Sequence, residues 1–256
     1  MFSSPTDQAE VTVVILAAGK GTRMRSQLPK VLHQIAGETL LGHVLATVER
    51  MSIPRAIAIV GHGADQVRAS LPGWVDTVEQ REQLGTGHAV QQVVPVLADF
   101  QGDVLILSGD VPLLSAETLS AMRQAHRDAG AALTLLTTEL SNPTGYGRIV
   151  RDGGQVKGIV EHKDATPAQR EIREINAGVY LADWAKLRAA ISTLSNSNAQ
   201  GEYYLTDAVA KLVSEGEIVM GHVTADATEV SGINTRAELV ALAAEDQKRT
   251  ASYWLP

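Results

Sequence analysis

VTVVILAAGKGTRM, residues 11–24, decides how this chain is read. Its first half, Val11 to Ala17, is a β-branched, near-continuous apolar run, the pattern of a strand buried on both faces. Its second half is bare backbone: Ala17, Ala18, Gly19 and Gly21 leave consecutive amides free to approach an anion closely. Arg23 adds a forked guanidinium suited to phosphate, and Lys30, just past Pro29 in LPKVL, is near enough in sequence to aim an ammonium at the same place. Two familiar loops are excluded. A Walker loop needs four residues between its glycines and then Lys-Ser/Thr, and a dinucleotide loop needs Gly or Ala where Met24 stands. On the glycines alone, an ordinary tight strand-to-helix turn fits as well; the two cations weigh against it.

Outward from this stretch, Leu40, Leu41, Val44, Leu45 and Val48 fall at helical spacing and predict the first helix. Ala56 to Val60 reads as a second strand, closed by Gly61-His62-Gly63, and Thr86 to Leu97 as another helix. Val104 to Leu107 is apolar on both faces and stops at Ser108-Gly109-Asp110. Ser115 is placed to cap the next helix, with Thr118 rather than Glu at the capping-box position, and Ala132 to Thr137 follows as a strand. This alternation predicts an α/β fold, a Rossmann-like doubly wound, mostly parallel sheet with helices on both faces. The pattern then changes. Arg148 to Arg151 and Gln155 to Val160 flank Asp152-Gly153-Gly154, a hairpin signature, and predict an antiparallel, lid-like insert over the ligand crevice. Val179 to Leu181 and Ile218 to Val223 read as later strands, and Arg236 to Arg249 as a terminal helix.

The 256 residues are 45% hydrophobic and 20% charged, enough to bury a sizeable core, which argues against disorder. With no cysteine, disulfides, thiolate catalysis and a cysteine-ligated zinc site are excluded, and a reducing cytoplasm is compatible. The net charge of −7 argues against a general affinity for nucleic acid or an anionic membrane. A polyanionic ligand therefore needs a local cluster of cations, which Arg23 and Lys30 supply. The start MFSSPTDQAE has no basic stretch leading into an apolar run, so no signal peptide is expected. The apolar runs are strand-sized, far short of the roughly 20 residues that span a bilayer, and a cytoplasmic location is expected. His33, His43, His62, His88 and His162 are scattered without a metal-ligand spacing, and no G-x-S-x-G elbow is present.

The glycine loop and the Pro-Lys pair are followed in order by EQLGTGHA from Glu82, GDVPL from Gly109, PTGYGRI from Pro143, IVEHKDAT from Ile159, EINAGVY from Glu174 and GEYYLTD from Gly201. From about Val11 to Arg236 the chain resembles the uridylyltransferase (pyrophosphorylase) domain of bacterial bifunctional N-acetylglucosamine-1-phosphate uridylyltransferase/glucosamine-1-phosphate acetyltransferases. IVEHKDAT and GEYYLTD discriminate, because many nucleotidyltransferases share the glycine loop. The resemblance implies a nucleotidyltransferase domain with its sugar-binding lobe over 11–236 and a C-terminal helix and tail over 237–256. It implies UTP and N-acetylglucosamine-1-phosphate as substrates, pyrophosphate and UDP-N-acetylglucosamine as products, and Mg²⁺ as cofactor, in the supply of peptidoglycan and lipopolysaccharide precursors.

By the same resemblance the base meets Leu16, Ala17, Ala18, Gly19, Gln80, Gly85 and Thr86, while Arg23 and Lys30 act on the triphosphate. Asp110 and Asn234, the latter in VSGINTR, are the implied Mg²⁺ ligands, and a carboxylate just past a buried strand suits that oxygen-seeking ion. Gly147, Glu161, Asn176, Tyr204 and Thr206 are the implied sugar contacts. Blander readings stay open: Asp110 could shape the turn before Pro112, Asn234 could cap a helix, and Tyr203 and Tyr204 could be core aromatics.

The chain departs from the family at Ser108, often aromatic there, and at Ser231, where Glu is usual. The hexapeptide repeats of the family's acetyltransferase half are also absent, so the chain is either part of a longer protein or a stand-alone transferase. That half builds most of the family's trimer, which makes a monomer the expectation. The implied reaction is in-line attack of the sugar-phosphate oxygen on the α-phosphorus, which needs positioning and charge neutralisation but no general base. Rival readings are a nucleotidyltransferase for another sugar phosphate or nucleoside triphosphate, and a nucleotide-sugar-binding regulator without turnover. Arg23, Lys30 and Asp110 together argue against the second, since a binder needs no cations at a leaving group.

Overall fold

The structure, a computed structural model, describes residues 10–254. The stretch MFSSPTDQA, on which the signal-peptide reading rests, lies outside it. β1 (Val11–Ala17) leads into 3₁₀ turns at Thr22–Met24 and Lys30–Leu32, then a ribbon of β2 (Gln34–Ile35) and β3 (Glu38–Thr39). α1 (Leu40–Arg50), β4 (Ala56–Val60), α2 (Ala64–Ser70), β5 (Val75–Glu79) and α3 (Thr86–Gln91) follow. Next come β6 (Asp103–Ser108), α4 (Ala116–Ala129) and β7 (Leu133–Glu139). The hairpin is β8 (Arg148–Asp152) and β9 (Gln155–Val160), followed by α5 (Pro167–Arg170) and β10 (Glu174–Asp183). α6 (Trp184–Ile191), α7 (Asp207–Ser214), β11 (Val219–Val223) and α8 (Arg236–Trp254) complete it.

The central sheet runs β11-β7-β10-β6-β1-β4-β5. The two-residue period of a strand explains why it is covered on both faces. Val13, Ile15, Ala58, Leu105 and Leu107 point to one side, against Leu41, Val44 and Val48 of α1 and Leu119 and Met122 of α4. Val14, Ile57, Ile59, Val104 and Ile106 point to the other, against Val90 of α3, Leu187 and Ile191 of α6, and Val209 and Leu212 of α7. Each of these Val, Leu, Ile and Met side chains contributes roughly 1.5–3 kcal/mol when fully buried. Trp184 is wholly buried and its indole N–H donates to the Leu97 carbonyl at 2.8 Å, so its one polar group is satisfied.

The doubly wound, mostly parallel fold is the one expected from the sequence, with two corrections. The strand read as Val179 to Leu181 is β10, ten residues from Glu174 to Asp183, and it lies antiparallel between β6 and β7 in the middle of the sheet. The helix expected from Thr86 to Leu97 ends at Gln91. Beyond it the chain turns through Val93→Val90, Val94→Gln91 and Val96→Val93 N–H···O bonds, because Pro95 lacks an N–H and disfavours helix at the residue before it. Ser115 caps α4 as expected, accepting from the Thr118 N–H at 3.1 Å. Gly153 and Gly154 turn the hairpin at φ 55° and 82°. Among the described residues no helix is long and apolar enough to cross a membrane.

Candidate active site

From β1 the chain winds one way through β4 and β5, and β6 then returns on the other side of β1. The crevice beyond the carboxyl ends of β1 and β6 is thus the switch point where doubly wound sheets bind ligands. The two strand ends are tied together there, the Gly109 N–H donating to the Leu16 carbonyl at 3.0 Å. A cleft of about 590 Å³ opens over them, and Leu16, Ala17, Ala18, Gly19, Lys30, Gln80, Gly85, Thr86 and Asp110 all line it. Gly21 lets the loop turn back: its φ is 57°, and a Cβ there would stand 2.6 Å from Cβ of Lys30.

Lys30 and Asp110 line this cleft, and Arg23 and Asn234, which do not, meet them there through side-chain hydrogen bonds. The Lys30 ammonium is bonded to Asp110 Oδ2 and lies 3.2 Å from Asn234 Oδ1. Arg23 Nη2 reaches the same Asn234 oxygen at 2.9 Å. Asn234 does not cap α8. That role falls to Thr235, whose hydroxyl accepts from the Glu238 N–H at 3.2 Å, while Glu238 Oε2 accepts from the Thr235 N–H at 3.1 Å. The box leaves the Asn234 side chain free to face Asp110, and an Ile233 N–H···O=C Asp110 bond of 3.0 Å pins the two loops together.

Among the residues expected to meet the base, Gln80 is not a solvated surface residue. It is 3% exposed, and its amide donates to the Gly85 carbonyl at 3.0 Å. Gly85, at φ 109°, allows the 201–205 segment to approach: a Cβ there would meet the Tyr203 carbonyl at 2.6 Å. Thr86 Oγ1 accepts from the Leu205 N–H at 3.1 Å, stitching this wall of the cleft to the segment that carries Thr206.

The expected sugar contacts form a second group. β10 carries a register shift between Asn176 and Tyr180, a bulge in which Gly178 takes φ 75° and its N–H donates to Asn176 Oδ1 at 3.0 Å. The Asn176 N–H donates to the Gly147 carbonyl, and a Cβ on Gly147 would clash with Ile159 Cγ2 at 2.8 Å and stand 3.5 Å from Glu161 Oε1 and 3.6 Å from Asn176 Cβ. Glu161 Oε1 accepts from the Thr206 hydroxyl at 3.0 Å. Burial pushes the Glu161 carboxyl above the ordinary range; the Thr206 bond opposes this, and the carboxylates of Asp164, Asp207 and Glu202 add to it. Gly147, Glu161, Asn176 and Thr206 are therefore neighbours. Tyr204 differs, since its buried hydroxyl is committed to Asp164 at 3.2 Å and Gln200 at 2.9 Å, and burial pushes it up to about 12. That is the geometry of a satisfied core aromatic.

Ser108 lines the cleft with its hydroxyl 3.4 Å from the Gly178 carbonyl, and Ser231 donates to the Ala227 carbonyl at 3.1 Å. Sequence reasoning left out Gln83 and Glu202, which also line the cleft, and Tyr146. The half-buried Tyr146 phenol is pushed up by burial and then by the Glu238 and Asp110 carboxylates, which sets it beside the cation cluster. Its place inside PTGYGRI was the available signal. Among the described residues no group of three or more His, Cys, Asp or Glu side chains could hold a metal ion.

A family profile for the MobA-like NTP transferase domain matches residues 13–171. The chain is 47% identical over 242 residues to the bifunctional protein GlmU of Desulfitobacterium hafniense (strain DSM 10664 / DCB-2), across 94% of this chain and 53% of that protein. It is 54% identical over 242 residues to the bifunctional protein GlmU of Stutzerimonas stutzeri (strain A1501), across 93% and 52% respectively. The chain thus spans about half the length of the curated relatives it matches. In fold it is similar to a crystal structure of UDP-glucose pyrophosphorylase complexed with UDP-glucose, with a TM-score of 0.75 and 14% identity over 93% of this chain and 98% of that one.

Proposed function

We propose, from the premise that this chain belongs to the MobA-like NTP transferase domain family, that it transfers the uridylyl group of UTP to N-acetylglucosamine-1-phosphate. The observation that carries this is the convergence of Arg23, Lys30, Asp110 and Asn234 at the switch point, directly beside the glycine loop. The products are UDP-N-acetylglucosamine, a precursor of cell-envelope polymers, and pyrophosphate, and the reaction is cytoplasmic.

A phosphate oxygen of the sugar phosphate attacks the α-phosphorus of UTP. The bond from that phosphorus to the bridging oxygen breaks, and the electron pair leaves on pyrophosphate. The nucleophile is already anionic, so no side chain has to remove a proton. The bare backbone of residues 16–19 and Gln80 hold the uracil and ribose end. Arg23 and Lys30 hold the β- and γ-phosphates and meet the charge that grows as pyrophosphate departs. Glu161, Asn176 and the Gly147 backbone hold the sugar. Glu161 and Asn176 keep free hydrogen-bonding capacity: the second Glu161 oxygen, and one N–H and one lone pair on Asn176.

Asp110 and Asn234 fit a magnesium ion chemically, because their oxygens already converge on a single ammonium and both are hard donors. Asp110 and Asn234 would hold the ion, which would supply charge neutralisation at the phosphates.

The test is pyrophosphate release from UTP, CTP, ATP and GTP, each with N-acetylglucosamine-1-phosphate and Mg²⁺. Release confined largely to UTP is expected. Equal release from all four would refute uridylyl transfer, and none from any would refute transferase activity.

A further inference from the structure

Arg236 takes no part in the scheme above, yet it joins the two halves of the cation cluster. Its Nε donates to the Met24 carbonyl at 3.1 Å and its Nη2 to the Arg25 carbonyl at 3.2 Å. Those carbonyls belong to the last residue of the Thr22–Met24 turn and to its C-terminal neighbour. Arg25 has φ 47°, in the left-handed region that side-chain-bearing residues avoid, and the turn has no side-chain cap at its start. The turn is held by its Met24→Gly21 and Arg25→Thr22 N–H···O bonds and by the burial of Met24, and the Arg236 fork adds side-chain bonds at its C-terminal end.

The same two segments are bridged in the opposite sense, Arg23 reaching to Asn234 Oδ1 at 2.9 Å. One arginine from each segment crosses to the other. The α8 side is the firm one. Thr235 and Glu238 form the capping box, Glu238 Oε2 also accepts from the Asn234 N–H at 2.6 Å, and Leu239 and Leu242 pack with Met24, Ile35 and Leu40.

We infer that Arg236 is a positioning residue: it clamps the Thr22–Arg25 turn to the start of α8, so that Arg23 is aimed before substrate arrives, and it acts through Arg23. The inference rests on the proposed function for its kinetic readout but not for its structural one. A rigid fork on two successive carbonyls is a geometry that lysine cannot reproduce, so charge alone does not replace it.

The experiment compares Arg236→Ala, Arg236→Lys and Arg23→Ala with the double variant Arg23→Ala/Arg236→Ala. Arg236→Ala is expected to lower kcat roughly ten- to a hundredfold, with the KM for UTP changed far less, as misplacing a catalytic group does. Arg236→Lys should recover only a small part. In the Arg23→Ala background, removing Arg236 should cost less than about twofold, because the group it positions is gone. Full additivity in the double variant, or full recovery by lysine, overturns the inference. Amide hydrogen exchange over residues 22–26 reads the clamp without any turnover: faster exchange in Arg236→Ala supports it, and unchanged exchange overturns it. If the wild type releases no pyrophosphate, the proposed function fails while the exchange measurement still decides the clamp.

Discussion

The side-chain oxygen of Asn234 lies 3.2 Å from the Lys30 ammonium, and that ammonium also holds the carboxylate of Asp110. Two oxygens and one cation from widely separated stretches of chain thus share one point at the carboxyl end of the sheet. The Lys30 and Asp110 side chains are 16% and 17% exposed, so the pair is largely withdrawn from water. Such an arrangement stabilises the fold only while both partners are present.

Asp110→Ala should abolish turnover yet leave UTP binding measurable by calorimetry, because the glycine loop, Gln80 and Arg23 remain. It should also cost about 1–3 kcal/mol of stability, since a mostly buried ammonium loses its counter-charge. Near-normal turnover in Mg²⁺ would remove Asp110 from the metal site.

Asn234→Ala and Thr235→Ala separate a ligand from a cap. Thr235→Ala breaks the box at the start of α8 and should cost about 0.5–2 kcal/mol in denaturant unfolding, with modest loss of activity. Asn234→Ala should show the reverse, a large loss of activity and a smaller loss of stability. The opposite ranking would mean that Asn234 is the helix cap.

Burial lifts the Glu161 carboxyl above its ordinary 4.5. The folded chain therefore keeps this proton over a range where the unfolded chain has released it. Stability falls as pH rises from 4.5 through the raised folded value, and the whole penalty stands above that value. Glu161→Gln removes the charge and keeps an oxygen for the Thr206 hydroxyl. The variant should melt above the wild type at about pH 8, and the gap should close towards about pH 4. A gap of equal size at both would mean that the charge of Glu161 is not its source.

What the sequence made legible was local. The β-branched run from Val11, the bare loop behind it and the Gly153-Gly154 hairpin each carry their meaning within a few residues, and each formed as expected. The insertion of β10 between β6 and β7 was not legible, because its ten residues, alternately buried up to Val179 and continuously buried from there to Ala182, hold no record of their neighbours. The bulge at Asn176–Tyr180 depends on that pairing and was hidden for the same reason. The capping role of Thr235 was written in the sequence, as Thr-x-x-Glu from 235 to 238, one residue past the Asn234 that could also have been the cap. The reach of Arg236 to Met24 spans 212 positions, and no local pattern encodes it.

The central claim is the acceptor as well as the nucleotide, and one measurement addresses it directly: kcat/KM of the wild type with UTP for N-acetylglucosamine-1-phosphate, glucose-1-phosphate and glucosamine-1-phosphate. Groups such as the half-buried Asn176 amide, which an acetamide would pair, are left unpaired by the other two sugars at about 1–3 kcal/mol each. The expected preference for the acetylated substrate is therefore roughly tenfold to a few hundredfold. Equal values for the three sugars would contradict the N-acetylglucosamine assignment and leave a general sugar-phosphate nucleotidyltransferase.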